Sequence, residues 1–296
     1  MNEMDISVIM PAYNAENYIG IALESAVTQC FNGTFEILVA DDLSTDGTRQ
    51  VIMEWHNKYP TLIKPIFRER NLGCSENSYQ ICINSSAKYL AFLDSDDCWA
   101  TCDKLQLQYD FFQNNREVGM LCANAYYEKG QFAKENLLSL PYTKHQSGFV
   151  SFSDIVRKHT DVFNSGIMIR GDLYRQMAED CKWYLENKCF FDTVWAYWFS
   201  YYGKLYRMEQ ILSSYRVLDN SDCHTTDPQK QFELAKRYYA MKTRFLLTHD
   251  VPIEEKMDVF LNEYDYNFRN AFFQGEQKVR KTRTFKMGSL LKKLKL

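Results

Sequence analysis

The stretch Tyr89-Leu-Ala-Phe-Leu-Asp-Ser-Asp-Asp-Cys-Trp99 carries an apolar segment directly into three carboxylates, Asp94, Asp96 and Asp97. Its tyrosine, leucine and phenylalanine residues favour a packed strand, and acids at the carboxyl end of such a strand lie where open α/β sheets bind ligands. Asp94 and Asp96 should therefore share one site, where they repel each other unless a cation such as Mg²⁺ or Mn²⁺ lies between them. A solvated acidic turn is the alternative, and the preceding buried strand favours the metal site.

Length and composition favour a large folded domain. The chain has 296 residues, of which 46% are apolar, and this is enough to bury a core. Its formal net charge of -3 is uneven, because residues 278–296 contain eight lysines and arginines and no acid, so the preceding residues sum to -11. An acidic body argues against a general role in nucleic-acid binding.

The sequence predicts a cytoplasmic protein with reduced thiols. No apolar run approaches the roughly 20 residues that cross a bilayer, and Met1-Asn2-Glu3-Met4-Asp5 is not the basic leader of a signal peptide. Nine cysteines occur without a Cys-x-x-Cys pair, which predicts free thiols that fill the core.

Four apolar runs alternate with helical patterns in the first hundred residues. We predict strands at 6–11, 35–40, 63–67 and 89–93, separated by helices at 17–29, 48–59 and 76–85. Such alternation favours a mostly parallel sheet with right-handed crossovers, in which the loops after the first, second and fourth strands open on one edge. Tyr13, Asp42 and Asp96 are then expected close together.

Neither glycine-rich phosphate loop, Gly-x-Gly-x-x-Gly or Gly-x-x-x-x-Gly-Lys-Ser/Thr, follows a predicted strand. If a diphosphate binds at this edge, something other than backbone amides must offset its charge, and the paired acids indicate a metal ion. Asp42 is then free to accept a hydrogen bond from a base or ribose.

Four segments together resemble the inverting glycosyltransferases of family 2. They are Ser7-Val-Ile-Met-Pro-Ala-Tyr-Asn14, Asp41-Asp-Leu-Ser-Thr-Asp-Gly-Thr48, Asn71-Leu-Gly73 and Leu93-Asp-Ser-Asp-Asp97. Their order and spacing make the combination specific, although each segment alone is weak. The resemblance implies a GT-A fold, that is, a Rossmann-like, mostly parallel sheet flanked by helices.

The same resemblance implies roles for individual residues on the donor side. Pro11 and Tyr13 border the nucleotide base, which Asp42 binds. Asn71 and Asn77 line the nucleotide pocket. Asp96 ligates the metal, Asp94 holds the ribose or a metal-bound water, and Asp97 completes the acidic segment that binds the nucleotide sugar.

Residues after 100 are less regularly patterned. We predict a helix at 103–113, strands at 120–126, 164–170 and 205–212, a polar connection at 129–147, and an aromatic helix that starts near Phe190. Asp192 lies in the first turn of that helix, where the local pattern alone predicts a helix cap. The resemblance instead implies that Asp192 is the general base, with Phe191 in place of a glutamate found in relatives.

The segment Ser214-Tyr-Arg216 matches the Tyr-Arg of the family, and Arg216 is implied to stabilise the leaving diphosphate. The histidine that usually follows is replaced by Leu218. His224 is a candidate substitute ligand for the metal or the diphosphate, although a lone histidine is more often an ordinary residue.

We divide the chain into a catalytic domain at 1–225, a helical extension at 226–277 and a tail at 278–296. Within the catalytic domain, 1–100 is assigned to the nucleotide sugar and 101–225 to the acceptor. The tail is basic, and its leucines at 290, 291 and 294 form one helical face, which predicts peripheral contact with the inner face of a membrane. A solvated tail and a nucleic-acid arm are the alternatives.

The predicted activity is metal-dependent, inverting transfer of a sugar from a nucleotide diphosphate, UDP first, to a hydroxyl of a saccharide or lipid-linked saccharide in cell-surface glycan synthesis. A nucleotidyltransferase that makes sugar nucleotides and a non-catalytic binding protein are the rivals. The first is expected to have a glycine-rich basic loop after the first strand, unlike Pro11-Ala-Tyr-Asn14, and the second has no need of a carboxylate at Asp192.

Overall fold

A computed structural model describes residues 4–129, 147–158, 162–187, 191–218, 227–254 and 256. The chain forms two compact units, Met1–His224 and Thr225–Leu296.

The first half of the larger unit alternates strands and helices as predicted. Its elements in chain order are β1 (Ile6–Ala12), α1 (Ile19–Val27), β2 (Phe35–Asp41), α2 (Thr48–Lys58), β3 (Ile63–Phe67), α3 (Cys74–Asn84) and β4 (Tyr89–Phe92). The strands are all parallel and lie in the order β3-β2-β1-β4. β1 and β4 are buried at every residue, which explains their continuous apolar sequence.

The strand register places the functional loops on one edge of the sheet. Ala12 pairs with Asp41, and Ile9 pairs with Phe92, so β1, β2 and β4 end at neighbouring positions. The loops that follow these strands therefore open side by side, as the sequence predicts.

The second half adds five strands and four more α-helices among the described residues. They are β5 (Cys98–Trp99), α4 (Lys104–Asn114), β6 (Met120–Lys129), β7 (Gly148–Phe149), α5 (Phe152–Lys158), β8 (Ile167–Arg170), α6 (Gly171–Asp180), α7 (Phe191–Tyr201) and β9 (Leu205–Val217). The sheet continues as β4-β8-β6-β9-β5, with β7 paired to β9. β8 is antiparallel to both of its neighbours, whereas β6 and β9 are parallel.

Strand pairing explains two predicted boundaries that differ from the structure. β9 continues five residues past the predicted end, since β6 and β5 pair with it up to Val217 and Ser214 respectively. Residues Asn164–Gly166, predicted as the start of a strand, form a 3₁₀ turn before β8. Most of the predicted polar connection, 130–146, lies outside the described residues.

An aromatic layer connects α7 to the sheet. Trp195 is fully buried, and its ring lies 4.5 Å from that of Phe92 in β4 and 4.8 Å from that of Phe191, centroid to centroid. Tyr197 and Trp198 are also buried, whereas Tyr202 is 47% exposed. The aromatic residues of this helix are mainly core, as their helical spacing predicts.

The smaller unit contains α8 (Pro228–Thr248). Asp227 caps this helix, since its carboxylate accepts hydrogen bonds from the backbone N–H groups of Gln229 and Lys230 at 2.8 and 3.0 Å. Residues 255 and 257–277 of the predicted helical extension and the whole tail, 278–296, lie outside the described residues. Among the helices that are described, none has the length and apolar character to cross a membrane.

Candidate active site

The acid loop, Asp94–Asp97, is fastened by residues that come much later in the chain. Asp97 is 2% exposed, and its carboxylate accepts hydrogen bonds from the Ser165 hydroxyl at 2.6 Å and from the backbone N–H of Arg216 at 2.9 Å. Both oxygens of Asp97 are thus occupied by protein groups. Its observed contacts hold the loop in place, and its predicted contact with the nucleotide sugar stays a prediction.

The 3₁₀ turn before β8 also holds Asp94. The Asn164 side-chain amide donates to Asp94 Oδ1 at 2.6 Å, and the Asp94 backbone N–H donates to the Ser165 hydroxyl oxygen at 3.1 Å. Trp99 Nε1 donates to the backbone oxygen of Ser165 at 3.0 Å. Sequence reasoning missed Asn164 and Ser165 because it assigned them to a strand, and the only local signal was two polar residues before an apolar run.

The acid loop concentrates negative charge. Burial and the neighbouring Asp96 carboxylate raise the pKa of Asp94 to about 7, although the hydrogen bond from Asn164 opposes this rise. Burial also raises the pKa of Asp96, against the opposing charge of Arg216. For Asp97, burial together with Asp96 and Asp94 raises the pKa well above its usual range. A positive ligand would relieve this repulsion.

Asp192 lies at the first turn of α7 and faces the same cluster of charges. Its Oδ1 atom accepts a hydrogen bond from the backbone N–H of Thr193 at 2.7 Å, and burial raises its pKa to about 6. The Asp192 charge contributes to the raised pKa of Asp94, so the fold brings the two carboxylates within electrostatic reach. Phe191, in contrast, is buried in the aromatic layer.

Cys74, which sequence reasoning did not single out, lies beside these acids at the start of α3. Although the residue as a whole is exposed, the protein packed around its sulfur raises the pKa of the Cys74 thiol, and the charges of Asp94, Asp96 and Asp192 raise it further. The thiol therefore lies within electrostatic reach of all three carboxylates. This arrangement joins the fourth strand, the third helix and α7 into one candidate site.

Asp42 braces the loop that follows β3. Its two carboxylate oxygens accept hydrogen bonds from the backbone N–H groups of Leu72 at 2.7 Å and Gly73 at 2.8 Å, and the Asn71 side chain donates to its backbone oxygen at 2.9 Å. Asp42 is 2% exposed, and both of its carboxylate oxygens already accept hydrogen bonds from the protein. Its predicted contact with a base or ribose stays a prediction.

Asn77 is buried behind this loop. Its amide nitrogen donates to the backbone oxygen of Ala40 at 2.8 Å, and its Oδ1 atom accepts from Arg68 Nε at 2.9 Å. These contacts tie α3 to the end of β2. Its predicted position in the nucleotide pocket stays a prediction, and the observed contacts give it a bracing role.

The loops after β1 and β2 are joined to each other. Asn14 and Leu43 both adopt left-handed backbone conformations, with φ of 47° and 62°. The Asn14 backbone N–H donates to the Ser44 hydroxyl, and Asn14 Oδ1 accepts from the Thr45 backbone N–H, both at 2.9 Å. Tyr13 is consequently held 52% exposed at the sheet edge, one residue after the end of β1.

Two further predicted residues of the donor side have different surroundings. Pro11 is buried within β1 and pairs with Ala40. Arg216 is 3% exposed, its Nε donates to the backbone oxygen of Asp96 at 2.7 Å, and its guanidinium lies 5.0 Å from the centre of the Tyr18 ring. The Arg216 side chain therefore supports the acid loop through the Asp96 backbone, and its role toward a diphosphate stays a prediction.

No protein-only metal cage is found in the part of the chain that the structure describes. There, no three or more histidine, cysteine, aspartate or glutamate residues are arranged to hold an ion. His224 lies outside the described residues. A metal bound through Asp96 would thus need most of its ligands from the substrate or from water, as is common for Mg²⁺.

The family is established by comparison with known proteins. The model of the family described as glycosyl transferase family 2 matches residues 7–176, more than half of the chain. The chain belongs to this family. The matched region includes the acid loop and the 3₁₀ turn, and the membership confirms the resemblance seen in the sequence motifs.

Individual relatives share part of the chain. It is 32% identical over 138 residues to the Escherichia coli UDP-Glc:alpha-D-GlcNAc-diphosphoundecaprenol beta-1,3-glucosyltransferase WfgD. The matched region covers 42% of this chain and 53% of the relative. The chain thus spans about half the length of that relative, and about a third of the length of other curated relatives.

Solved structures confirm the GT-A fold. S. aureus TarS 1-349 in complex with UDP-GlcNAc has a TM-score of 0.63 at 19% identity, covering 88% of this chain and 72% of that one. The mannosyltransferase PcManGT from Pyrobaculum calidifontis, in complex with GDP-Man and Mn²⁺, has a TM-score of 0.58 at 12% identity, covering 99% and 80%.

Proposed function

We propose that this protein is an inverting glycosyltransferase that moves a sugar from a UDP-sugar to a hydroxyl group of a saccharide acceptor. One observation carries the proposal: the Asp192 carboxylate, with its pKa raised to about 6, lies within electrostatic reach of Asp94 in the acid loop. A base close to a site for a charged leaving group suits displacement at a sugar carbon.

Asp192 acts as the general base in this proposal. Its carboxylate is ionised at neutral pH and accepts the proton of the acceptor hydroxyl as that oxygen attacks the anomeric carbon. Burial makes the carboxylate a stronger base than an exposed aspartate, since the raised pKa favours proton uptake. The bond to Thr193 fixes one oxygen and orients the other.

The residues of the acid loop fit a divalent cation. Asp96 would ligate Mg²⁺ or Mn²⁺, and Asp94, held by Asn164, would orient the ribose or a metal-bound water. The crowded carboxylates support this assignment because burial and their mutual repulsion raise the pKa values of Asp94 and Asp97. When bound, the ion supplies positive charge that offsets the leaving diphosphate. His224 is retained as a candidate further ligand.

The donor nucleotide is assigned to the edge formed by the first three loops. Tyr13 is exposed there for contact with the base, near Pro11 in the sequence. The bond to Asp42 positions Asn71, and the bond to Ala40 positions Asn77. UDP is preferred because TarS is named in complex with UDP-GlcNAc and WfgD is named as a UDP-Glc enzyme. Arg216 would act on the diphosphate from the acid-loop side.

The acceptor is proposed to be a saccharide, free or lipid-linked, in the synthesis of a cell-surface glycan. WfgD is named for a diphosphoundecaprenol-linked acceptor, which supports this class. The predicted tail at 278–296 would hold the enzyme at the inner face of the membrane, near such lipids. No nucleic-acid partner is proposed.

One screen tests the activity and its rivals. Purified protein with Mn²⁺ is incubated with UDP-, GDP- and dTDP-sugars, and release of the nucleoside diphosphate is measured with and without saccharide acceptors. We expect UDP release from one UDP-sugar. Production of a sugar nucleotide from a sugar phosphate and a nucleoside triphosphate would indicate the nucleotidyltransferase, and binding without turnover of any donor would indicate the non-catalytic protein.

A vesicle experiment tests the tail separately. The full chain and a 1–277 truncation are sedimented with anionic and with neutral vesicles at low and high salt. Basic residues contribute about 1 kcal/mol each near anionic lipid, so we expect only the full chain to pellet, with anionic vesicles at low salt. Equal pelleting of both forms would remove the membrane assignment.

A further inference from the structure

Three cysteines lie at the surface. Among the described residues all seven cysteines are free thiols. The expectation that the thiols fill the core is confirmed for Cys82, Cys98, Cys122 and Cys181, which are buried, and is wrong for Cys30, Cys74 and Cys102, which are exposed.

Cys30 and Cys102 meet although 71 residues separate them in the sequence. Cys30 follows the end of α1, and Cys102 precedes the start of α4. The backbone N–H of Cys30 donates to the backbone oxygen of Cys102 at 2.6 Å. This backbone bond places the two residues side by side, and a disulfide spans Cα separations of roughly 4.4–6.8 Å.

The two segments form one firm contact around this pair. The Gln29 side chain donates to the Thr101 backbone oxygen at 2.7 Å and accepts from the Leu105 backbone N–H at 3.1 Å. The Asn32 backbone N–H donates to the Gln106 side chain at 2.9 Å. The folded protein therefore holds the two cysteines together without further movement of either segment.

The two thiols are near enough to influence each other. Interaction with the neighbouring Cys102 thiol raises the pKa of the Cys30 thiol. Both residues are solvent-exposed, and thiol–disulfide exchange needs neighbouring sulfurs and access for an oxidant.

We propose that Cys30 and Cys102 are a redox-active dithiol that closes to a disulfide in the folded protein, with a small-molecule disulfide as the oxidant. One cysteine thiolate attacks a sulfur of oxidised glutathione and releases one glutathione thiolate. The second cysteine thiolate attacks the mixed disulfide and releases the other. The protein loses two protons and two electrons, and one small-molecule disulfide becomes two thiols.

The closed form should be the more stable one. The bond would link the end of α1 to the start of α4 across a long loop, and such a link reduces the freedom of the unfolded chain. Because hydrogen bonds already join the two segments, little strain is expected in the native state. The site lies outside the proposed sugar-transfer machinery and does not depend on it.

The test uses the full-length protein in buffers of defined reduced-to-oxidised glutathione ratio. Remaining thiols are blocked with N-ethylmaleimide, and digested peptides are analysed by mass spectrometry without reduction. We expect a peptide pair that joins residues 30 and 102, formed at least about tenfold faster in native protein than in urea, because folding raises the effective concentration of one thiol at the other. The melting temperature should rise on oxidation.

Matched variants complete the test. Cys30→Ser and Cys102→Ser should each leave a stable glutathione adduct on the other cysteine and abolish the rise in melting temperature, whereas Cys74→Ser should retain the cross-link. Glutathione adducts on both cysteines of the native wild-type protein without a cross-link would overturn the proposal. Equal cross-linking rates in urea and in native buffer would also overturn it, because the fold would then contribute nothing.

Discussion

Asp42 and the acid loop lie on the same edge of the sheet, yet their carboxylates are used in opposite ways. Both carboxylate oxygens of Asp42 accept hydrogen bonds from backbone N–H groups of a neighbouring loop, so this carboxylate stabilises local structure. In the acid loop, Asp94 and Asp96 crowd together and burial raises the pKa of each. The difference indicates that Asp42 has a structural role as a scaffold, whereas the acid loop contains crowded acids whose repulsion a positive ligand would relieve.

The largest loss of turnover is expected from a substitution in the acid loop. Asp96→Asn removes the proposed ligand of the divalent ion, and we expect turnover to fall by about 10³-fold, at the upper end for the loss of one electrostatic group at a reacting centre. The check is steady-state kinetics over a Mn²⁺ titration, with EDTA-treated wild-type protein alongside. Near-normal turnover in either sample would mean that the acid loop needs no ion.

The next effect concerns the base that faces the acid loop. Asp192→Asn keeps the size of the side chain but cannot take a proton, so kcat should fall by about 10²-fold or more while the affinity for UDP is retained. Kinetics and calorimetric titration with UDP and Mn²⁺ separate the two quantities. Asp110→Asn, at an exposed position of α4, is the control. An unchanged kcat in Asp192→Asn would return Asp192 to the role of helix cap.

The pH dependence provides a smaller test of the same residue. Burial raises the pKa of Asp192 to about 6, so its base form is lost as the pH falls through this value. With Mn²⁺ saturating, so that the bound ion keeps the acid loop ionised, we expect kcat/KM to decline about tenfold for each pH unit below 6 and to level off above it. The decline of kcat/KM below pH 6 should be absent from the residual activity of Asp192→Asn. A decline that begins only near pH 4 would contradict the raised pKa.

The smallest effect on catalysis is expected at the scaffold. Asp42→Asn replaces one acceptor oxygen with an amide nitrogen, so one of the bonds to the 71–73 loop is lost. Loss of one such bond to a charged group costs about 1.5–3 kcal/mol, and we expect KM for the donor to rise by roughly tenfold with kcat nearly retained. A large fall in kcat with unchanged KM would show that Asp42 belongs with the acid loop instead.

The sequence predicts the Asp42 region and the acid loop to different extents. The first four strands, their parallel order and the shared edge follow from local patterns, because a buried parallel strand is apolar at every position and each crossover helix shows its own period. Asp96 and Asp42 were found for this reason. The contacts of Asp42 were not, because backbone N–H groups leave no mark in a sequence.

The sequence by itself determined the family, the GT-A sheet and the position of each acid at a strand or helix end, since motifs and periodicity are local properties. Tertiary structure decided what surrounds those acids. Asn164, Ser165 and Arg216 reach the acid loop only because β8 and β9 join the same sheet, and Cys30 meets Cys102 only because the segment after α1 lies beside the segment before α4. Burial and charge repulsion depend on such long-range neighbours, and therefore the pKa values of Asp94 and Asp192 are properties of the folded chain alone.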